Sequence, residues 1–400
     1  MTGSNLSQRG QTAALALGGL SKLAEAMGNV YEPHSNPDGI VFLGLADNSL
    51  CRSEILSYFT ANPLRLTGPE LTYPDSVCAQ SSVLAALARL FNEVPDGIDH
   101  STFATERKPR VPVTAEHIVV GAGASGVLDM LFYALANEGD AVLVSSPYYS
   151  GFDHDVERDR VHLVPVPLGP LCTTTSASAE FGHSGQPCFD NDGGEAGAVI
   201  AAYDKARLSA EAKGKRVRAL LLCNPHNPTG AIISRKAIID LAKFCAQHGL
   251  HLVSDEIYAR SIFETDVVPA PNEFFSVLSV DTLREAGLHP SFVHVVTSAS
   301  KDFSINGLRL GLLVSQANDE LHLAMLSNAL LSQPGSASGA LWRDWLADKA
   351  FLDWYLAENR IRLRDSFQYL ARFLEHHKIP FVVSAQRLDA PSKPTILLAD

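Results

Sequence analysis

The stretch that determines the fold is Ser298-Ala-Ser-Lys-Asp-Phe-Ser-Ile-Asn-Gly-Leu-Arg-Leu-Gly311. It places one lysine, Lys301, between small hydroxyl residues and eight positions before Arg309, which Gly307 and Gly311 flank. A lysine that reacts with an aldehyde needs a tight, partly desolvated turn that keeps its amine neutral and nucleophilic. An arginine can clamp a phosphate with two parallel hydrogen bonds, and glycines let the backbone approach a flat ligand closely. The stretch therefore predicts a ligand that carries both an aldehyde and a phosphate.

Pyridoxal phosphate (PLP) is the cofactor that combines these two groups. We therefore expect Lys301 to form a Schiff base with PLP and Arg309 to bind its phosphate. Ser298 and Ser300 can supply further hydrogen-bond donors. The alternative interpretation is an ordinary surface lysine between a strand and a loop.

Composition limits the class of protein. The 400-residue chain is long enough for a large core and for more than one domain. Its 46% hydrophobic and 19% charged residues are typical of a soluble globular protein. The net charge of −12 argues against nucleic acids and anionic membranes as partners. No apolar run reaches the roughly 20 residues that a membrane helix needs.

Cysteine usage favours a reducing, cytoplasmic location. The six cysteines show no CxxC or other metal-binding spacing, and they are sparse for a disulfide scaffold, so we expect no metal site. Residues 13–20 are mildly apolar after Arg9 and faintly resemble a signal peptide. They continue directly into residues 21–27, which have the pattern of an amphipathic helix, so secretion is not the favoured interpretation.

From about residue 115 the pattern alternates short apolar strands with helices. We predict strands at 117–120, 141–144, 161–166, 219–223, 252–253 and 292–297, and helices at 126–136 and about 235–247. This alternation predicts a mostly parallel α/β sheet, whose ligands bind at the carboxyl ends of the strands.

The rest of the chain is less regular. We predict an N-terminal helix or arm over residues 1–30, a short strand at 40–45 and a helix at 76–92. Residues 169–197 form a polar, low-complexity surface loop. Residues 317–377 are predicted to form two helices, separated near Pro334.

Two motifs follow predicted strands and suit the ring of PLP. Asn224-Pro-His-Asn-Pro-Thr-Gly230 forms a rigid turn after strand 219–223, in which an asparagine can donate to a phenolate oxygen. Asp255 follows an apolar run, and a buried carboxylate opposite a pyridine nitrogen keeps that nitrogen protonated. Tyr258, one helical turn further on, can reach the same ring. The alternatives are a plain turn for the first motif and a helix N-cap for Asp255.

A third motif, Gly121-Ala-Gly-Ala-Ser-Gly126, matches the dinucleotide fingerprint, with Asp140 at about the right distance for a ribose contact. The same strand–turn–helix also binds a lone phosphate at a helix N-terminus. The presence of Lys301 and Arg309 favours the lone phosphate over NAD. Tyr148 and Tyr149 follow another strand, where an aromatic ring can stack on a cofactor or simply belong to the core.

These motifs, in this order, resemble the fold-type I PLP enzymes of aminotransferase class I/II. Further runs are similar to 1-aminocyclopropane-1-carboxylate (ACC) synthases and to the ACC-synthase-like enzymes of fungi. They are Asn36-Pro-Asp-Gly39, Gly44-Leu-Ala-Asp-Asn48, Leu71-Thr-Tyr-Pro-Asp75 and Pro147-Tyr-Tyr-Ser-Gly-Phe-Asp153. The resemblance covers residues 28 to about 380, and it is more specific for the fold than for the reaction.

The resemblance implies a role for each matching residue. Lys301 bonds to the cofactor and moves protons, Asp255 pairs with the pyridine nitrogen, and Tyr258 and Asn227 hold the phenolate oxygen. The remaining cofactor-binding residues are Tyr149, which stacks on the ring, the phosphate ligands Gly123, Ala124, Ser125, Ser298, Ser300 and Arg309, and Tyr73, which reaches the phosphate of a neighbouring subunit. A homodimer is therefore implied.

The resemblance also implies the architecture. It is an α/β chain of PLP-dependent transferase fold type I, with a large domain built on a mostly parallel seven-stranded sheet and a smaller α+β domain. Residues 1–65 would form the N-terminal arm and part of the small domain. Residues 66–315 would form the large PLP-binding domain, with 169–197 as an insertion, and residues 316–400 the linking helices and an incomplete small domain.

The sequence departs from the family pattern at two places. Asp47 stands where ACC synthases usually have glutamate, in a segment that faces the substrate. Residues 384–400 do not match the part of the family that supplies the arginine for the substrate α-carboxylate. Arg387 is present but lies in no matching motif, so we do not assign it that role.

Three functions fit these motifs. An aminotransferase would move a proton through Lys301 and pass the amino group of an amino acid to a keto acid, in the setting of fungal secondary metabolism. A lyase of the ACC synthase or carbon–sulfur type would use the same lysine to eliminate a β- or γ-substituent. A non-catalytic PLP binder would explain the unmatched carboxylate arginine.

Overall fold

A computed structural model of the chain describes residues 6–19, 21–41, 46–94, 107–158, 160–168, 196–264, 273–379 and 395–396. Residues 1–46 form one compact unit, and residues 47–399 form another. The insertion predicted at 169–197 lies almost wholly outside the described residues, as does most of the tail after residue 379. In the described part of the chain, no helix combines the length and the apolar character needed to cross a bilayer.

The first unit contains α1 (Gln8–Gly19) and α2 (Ser21–Gly28), which lie within the predicted N-terminal helix or arm. A turn follows, in which Asn36 Nδ2 donates to Asn29 Oδ1 at 2.9 Å and to the carbonyl oxygen of Val30 at 2.9 Å. A parallel bridge joins Val30 to Ile40. Residues 42–45 of the strand predicted at 40–45 lie outside the described residues.

The second unit is built on a seven-stranded sheet with the order β1-β8-β7-β5-β4-β2-β3. The strands are β1 (Ile118–Ala122), β2 (Ala141–Ser146), β3 (His162–Pro167), β4 (Val217–Cys223), β5 (His251–Asp255), β7 (Val293–Ser298) and β8 (Leu310–Val314). β8 is antiparallel to both of its neighbours, β1 and β7, and the remaining strand pairs are parallel. The mostly parallel sheet predicted from the sequence is therefore confirmed.

Helices surround this sheet, and a separate two-stranded pair joins β6 (Phe263–Glu264) to β9 (Thr395–Ile396). The helices are α3 (Arg52–Ala61), α4 (Ser81–Glu93), α5 (Gly123–Leu135), α6 (Gly151–Glu157), α7 (Ala196–Glu211), α8 (Arg235–His248), α9 (Thr282–Ala286), α10 (Asp319–Ser332), α11 (Ser336–Ala347) and α12 (Lys349–His376). The central strands are buried on both faces, which explains why their sequences are continuous apolar runs.

Local signals set the ends of the helices. α8 begins where the Ser234 side chain accepts from the backbone N–H of Ala237, and it ends at Gly249, whose φ of 63° is in the left-handed region. α4 begins at Ser81 rather than near residue 76 as predicted, because Asp75 accepts from the Ser81 N–H at 2.7 Å and holds the preceding residues in a turn.

The prediction of two helices over 317–377 is wrong, because the structure has three, α10, α11 and α12. The additional break is at Asp348. Its Oδ1 accepts from the backbone N–H of Phe351 at 3.1 Å, so its side chain caps the start of α12. The sequence pattern alone did not reveal this break, since apolar residues continue on both sides of it.

Candidate active site

The predicted site residues meet at one edge of the sheet. Because β8 runs opposite to the other strands, it starts at the edge where β1, β2, β4, β5 and β7 end. The residues that follow these strand ends, or precede β8, are Gly123, Ala124, Ser125, Tyr149, Asn227, Asp255, Tyr258, Ser298, Ser300, Lys301 and Arg309. This is the edge at which open α/β sheets bind their ligands.

Lys301 lies in the turn after β7 and is half-buried. The turn is closed by the backbone N–H of Ser300, which donates to Ser298 Oγ at 3.1 Å. Ser298 is buried, so its hydroxyl is fixed beneath the turn. The positive charge of Lys301 lowers the pKa of Asp255, which means that the two side chains interact electrostatically.

Asp255 is the last residue of β5 and is buried. Burial raises the pKa of this carboxyl to about 7, and the charge of Asp155 raises it further, whereas the Ile257 N–H and Lys301 oppose the shift. Ile257 N donates to Asp255 Oδ1 at 3.2 Å. The carboxylate is thus only partly compensated by the chain itself, and a protonated pyridine nitrogen is a group that would compensate it.

Asn227 and Tyr258 form a buried pair of hydrogen-bonding groups. Asn227 Nδ2 donates to Tyr258 Oη at 3.3 Å, although the two residues lie on different turns. His226 supports the Asn227 turn through Ser145 at 3.1 Å and Thr229 at 2.7 Å, and burial lowers the pKa of His226 to about 4, which keeps its ring neutral. The pair can donate two hydrogen bonds to a single phenolate oxygen.

The N-terminus of α5 can bind an anion. Its N-cap residue is Ala122, whose side chain makes no capping hydrogen bond, and the backbone N–H groups of the first turn point out of this end of the helix. Gly123 begins the helix with φ of 82°, and a Cβ on it would lie 2.3 Å from Arg309 Nη2. The guanidinium group therefore packs directly against the helix terminus, and it donates to the carbonyl oxygens of Asn306 at 3.0 Å and Ala122 at 3.4 Å.

Gly311 allows this close approach. A Cβ at this position would lie 2.2 Å from the carbonyl carbon of Gly123 and 2.5 Å from the nitrogen of Ala124. Both atoms belong to the backbone, so neither can rotate away. Strand β8 can therefore pack against the start of α5 only with glycine at residue 311.

Asp47 and Tyr149 lie near this centre, whereas Tyr73 does not. Asp47 accepts from Asn306 Nδ2 at 3.1 Å and pairs with Arg52 at 2.6 Å, which joins the segment before α3 to the Arg309 turn. Tyr149 is 37% exposed and packs edge-on against Phe152, with ring centroids 5.4 Å apart. Tyr73 is 92% exposed, so within one chain its ring lies in solvent rather than among the other predicted residues.

The dinucleotide interpretation of residues 121–126 gains no support. Asp140, the candidate ribose ligand, is buried in the turn before β2, where its Oδ2 accepts from the Asn137 N–H at 2.8 Å. This contact is a local turn bond. The exposed α5 terminus with Arg309 beside it suits a single phosphate group, and the residues around it fit PLP.

Two acidic residues near the site had not been predicted. Asp155, on α6, is buried, which raises the pKa of its carboxyl, and a hydrogen bond with Ser125 lowers it in part. Asp302, directly after Lys301, is buried against the segment that follows Tyr258. The adjacency of Asp302 to the lysine was a signal in the sequence, whereas the contact of Asp155 depends on how α5 and α6 pack.

Comparisons with known proteins agree with this geometry. The family described as aminotransferase class I and II matches residues 61–387. The chain is 30% identical to the probable aminotransferase aclI of Aspergillus oryzae over 85% of its own length and 72% of that protein. It is 32% identical to the probable aminotransferase gliI of Aspergillus fumigatus, covering 85% of this chain and 70% of that protein.

Similarity extends to ACC synthases and to solved aminotransferases. The chain is 30% identical to 1-aminocyclopropane-1-carboxylate synthase 5 of rice, over 88% of this chain and 60% of that enzyme. Aspartate aminotransferase from Thermus thermophilus with maleate superimposes with a TM-score of 0.61, at 22% identity, over 94% of this chain and 81% of that one. The chain belongs to the aminotransferase class I and II family and is a PLP-dependent, aminotransferase-like enzyme of fold type I.

Proposed function

We propose that the protein transfers the amino group of an amino acid, or of an intermediate derived from one, to a keto acid. The observation that carries the proposal is the meeting of Lys301, Asp255, the Asn227–Tyr258 pair and the uncapped start of α5 at one sheet edge. The two relatives named probable aminotransferases support transfer over other PLP reactions. The resemblance to the ACC-synthase-like enzymes of fungi extends the proposal to fungal secondary metabolism.

Each residue has a task that its surroundings support. PLP, when bound, withdraws electrons from the carbon that loses a proton. Lys301, in the closed turn after β7, would accept that proton at its Nζ and deliver it to a different carbon, as transfer of the amino group requires. Asp255 would hold a proton on the ring nitrogen, and the Asn227–Tyr258 pair would orient the ring through its phenolate oxygen.

The phosphate of the cofactor would be held by a second group of residues. The backbone N–H groups of Gly123, Ala124 and Ser125 would receive it at the start of α5, with Arg309 as the fixed cation. Ser298 and Ser300 would border the same turn, and Tyr149 would stack on the ring.

A lyase is the second candidate, and the similarity to the rice ACC synthase favours it specifically. Elimination of a β- or γ-substituent begins with the same proton removal, so Lys301 and Asp255 serve both reactions equally well. The residues at the sheet edge therefore do not separate transfer from elimination. Their separation depends on which group leaves the substrate.

A panel of amino acids separates the two candidates. Purified protein reconstituted with PLP is incubated with each amino acid, and the formation of keto acid and pyridoxamine phosphate is measured beside the release of ammonia and thiol. Keto acid with pyridoxamine phosphate supports transfer, whereas ammonia or thiol supports elimination. The absence of any reaction across the panel would contradict both and leave a non-catalytic PLP binder.

Lysine variants test the site itself. Borohydride reduction followed by peptide mass spectrometry should attach PLP to Lys301 in the wild-type protein, and Lys301→Ala should lose this product. Lys349→Ala is the matched control, because that lysine is 81% exposed and pairs only locally with Asp353. If Lys301→Ala still carried the reduced cofactor, the assignment of the site would fail.

Three features of organisation complete the proposal. A homodimer is supported by the exposure of Tyr73, whose hydroxyl would reach the phosphate of the second subunit. Residues 1–65, 66–315 and 316–400 would be the arm, the large domain and the small-domain region. Among the described cysteines, Cys51 and three others are buried free thiols, which supports a cytoplasmic location. Sedimentation analysis, and the PLP affinity of Tyr73→Phe, test the dimer.

A further inference from the structure

Asp302 follows Lys301 directly, and it is 1% exposed. Its two carboxylate oxygens accept from two different donors. Oδ2 accepts from the backbone N–H of Arg260 at 3.1 Å, and Oδ1 accepts from Ser261 Oγ at 2.8 Å. The carboxylate thus joins the lysine turn to residues 260–261, which come directly after the turn that carries Tyr258.

This connection lies beyond the paired part of β5 and β7. These two strands are paired as far as Asp255 and Val296, and the N–H of Glu256 still donates to the carbonyl oxygen of Val296 at 2.8 Å. Beyond that point β5 and β7 are no longer paired with each other, whereas β7 stays paired with β8 up to Ser298. The bonds to Asp302 therefore fix the lysine turn relative to the Tyr258 turn in a region without strand pairing.

Two buried arginines influence the carboxylate of Asp302. Arg260 and Arg360 are 2% and 5% exposed, and Arg260 donates to the carbonyl oxygen of Leu90 at 3.3 Å. Burial raises the pKa of Asp302 to about 7, and the charge of Arg260 is the main effect that opposes this rise. A hydrogen bond between a buried carboxylate and a donor is about twice as strong as one between neutral groups.

A second contact holds the other side of the turn. Tyr355 Oη donates to Ser304 Oγ at 2.8 Å, and Ser304 has φ of 53°, a left-handed conformation. The turn is therefore also held at Ser304, and Asp302 connects it to the segment that carries the ring-binding residues.

We propose that Asp302 is a positioning residue, which holds the Lys301 turn in register with the Asp255–Tyr258 segment so that the lysine amine meets the cofactor aldehyde. This inference rests on the proposed function of Lys301 as the PLP-bonding residue. Asp302 does not itself touch the reacting atoms. Misplacing a reacting group by about 1 Å costs roughly a hundredfold in rate, which sets the scale of the expected effect.

Three variants test this role. Asp302→Asn keeps the shape of the side chain but puts an amide N–H₂ where an oxygen accepted a bond. Ser261→Ala removes one of the two donors and leaves the carboxylate in place. Ser279→Ala is the matched control. Ser279 is 2% exposed, against 4% for Ser261, and its hydroxyl likewise makes one buried hydrogen bond, to the carbonyl oxygen of Ser276 at 2.7 Å.

Borohydride quenching measures the rate at which added PLP bonds to Lys301. A pH titration gives the midpoint of the visible absorbance of the bound cofactor. The thermal midpoint of each protein without PLP records the purely structural effect. We expect Ser261→Ala to slow bonding several-fold and Asp302→Asn roughly ten- to a hundredfold. Both should shift the absorbance midpoint, whereas Ser279→Ala should keep the wild-type rate even if its thermal midpoint falls equally.

Equal rates for Ser261→Ala and Ser279→Ala, or a wild-type rate in Asp302→Asn, would overturn the role of Asp302. If Asp302→Asn does not fold, the comparison of Ser261→Ala with Ser279→Ala decides whether Asp302 positions the Lys301 turn. A wild-type protein that never bonds PLP at Lys301 would instead contradict the proposed function, so the two failures are distinguishable.

Discussion

The substitution Gly311→Ala tests the contact between β8 and the start of α5. A Cβ at residue 311 would lie 2.2 Å from the carbonyl carbon of Gly123 and 2.4 Å from its oxygen, where an ordinary contact begins at 3.4 Å. The two backbone segments must therefore separate by about 1 Å, a displacement large enough to disturb a preorganised site. Overpacking of this kind costs about 1–3 kcal/mol of unfolding free energy.

The displacement acts on the phosphate site first, because Gly123 and Ala124 carry the N–H groups proposed to bind the phosphate. We expect Gly311→Ala to weaken PLP binding by roughly ten- to a hundredfold, which corresponds to about 1.4–2.8 kcal/mol. PLP affinity is measured by titrating the protein with cofactor and following its visible absorbance. Chemical denaturation of the cofactor-free protein gives the stability loss separately.

Gly307→Ala is the control, since it lies four residues earlier, in the turn before β8, and a Cβ there meets nothing within 4 Å. This variant should bind PLP as the wild type does. If Gly311→Ala also bound PLP normally, the proposed phosphate site at the start of α5 would be refuted. A lower free energy of unfolding with an unchanged affinity for PLP would likewise refute the phosphate site.

Three further predictions concern titration and the ring-binding pair. Asp255→Asn should raise the thermal midpoint of the cofactor-free protein at pH 8 while abolishing most activity. The pKa of the buried carboxyl is raised to about 7, so the stability that Asp255 contributes is lost as pH rises from 3.8 through 7. At pH 4 the variant and the wild type should therefore melt at the same temperature. Tyr258→Phe should weaken PLP binding several-fold in an absorbance titration, since it removes the partner of Asn227, and unchanged affinity would contradict the pairing. His251 and His294 form a buried pair, with Nδ1 of the first 2.9 Å from Nε2 of the second. Burial lowers the pKa of His251 from 6.5 to about 4 and that of His294 well below 6.5, so the free energy of unfolding should fall as pH falls from 6.5 towards 4. In urea denaturation His294→Gln should show a shallower fall, and an equal slope would exclude the histidine pair as its cause.

Much of the fold could be predicted from the sequence, because buried parallel strands are continuous apolar runs. Strand 219–223 is an example: its residues are apolar throughout and it lies in the middle of the sheet as β4. Strand β8 was not predicted. Its five residues follow Arg309 without an intervening turn, and only pairing with β1 and β7 on both sides makes them a strand.

The candidate site divides in a similar way. Lys301, Asp255 and Asn227 could be recognised because each stands in a run whose composition has a chemical meaning. Asp155 could not, and Asp302 was marked only by its place next to Lys301, since the partners of both carboxylates come from segments distant in the sequence. A single buried carboxylate has no local pattern, and its contacts depend on tertiary packing.

The uncapped start of α5 has a consequence for handling the protein. Backbone N–H groups that bind a phosphate monoester also bind inorganic phosphate or sulfate, because all three anions present similar oxygens. Such ions in a buffer therefore compete with the cofactor by mass action and lower its apparent affinity. Reconstitution should be faster and tighter in a tertiary-amine buffer, which neither carries oxyanions nor reacts with an aldehyde, than in phosphate. Preparations precipitated with ammonium sulfate should be depleted of cofactor.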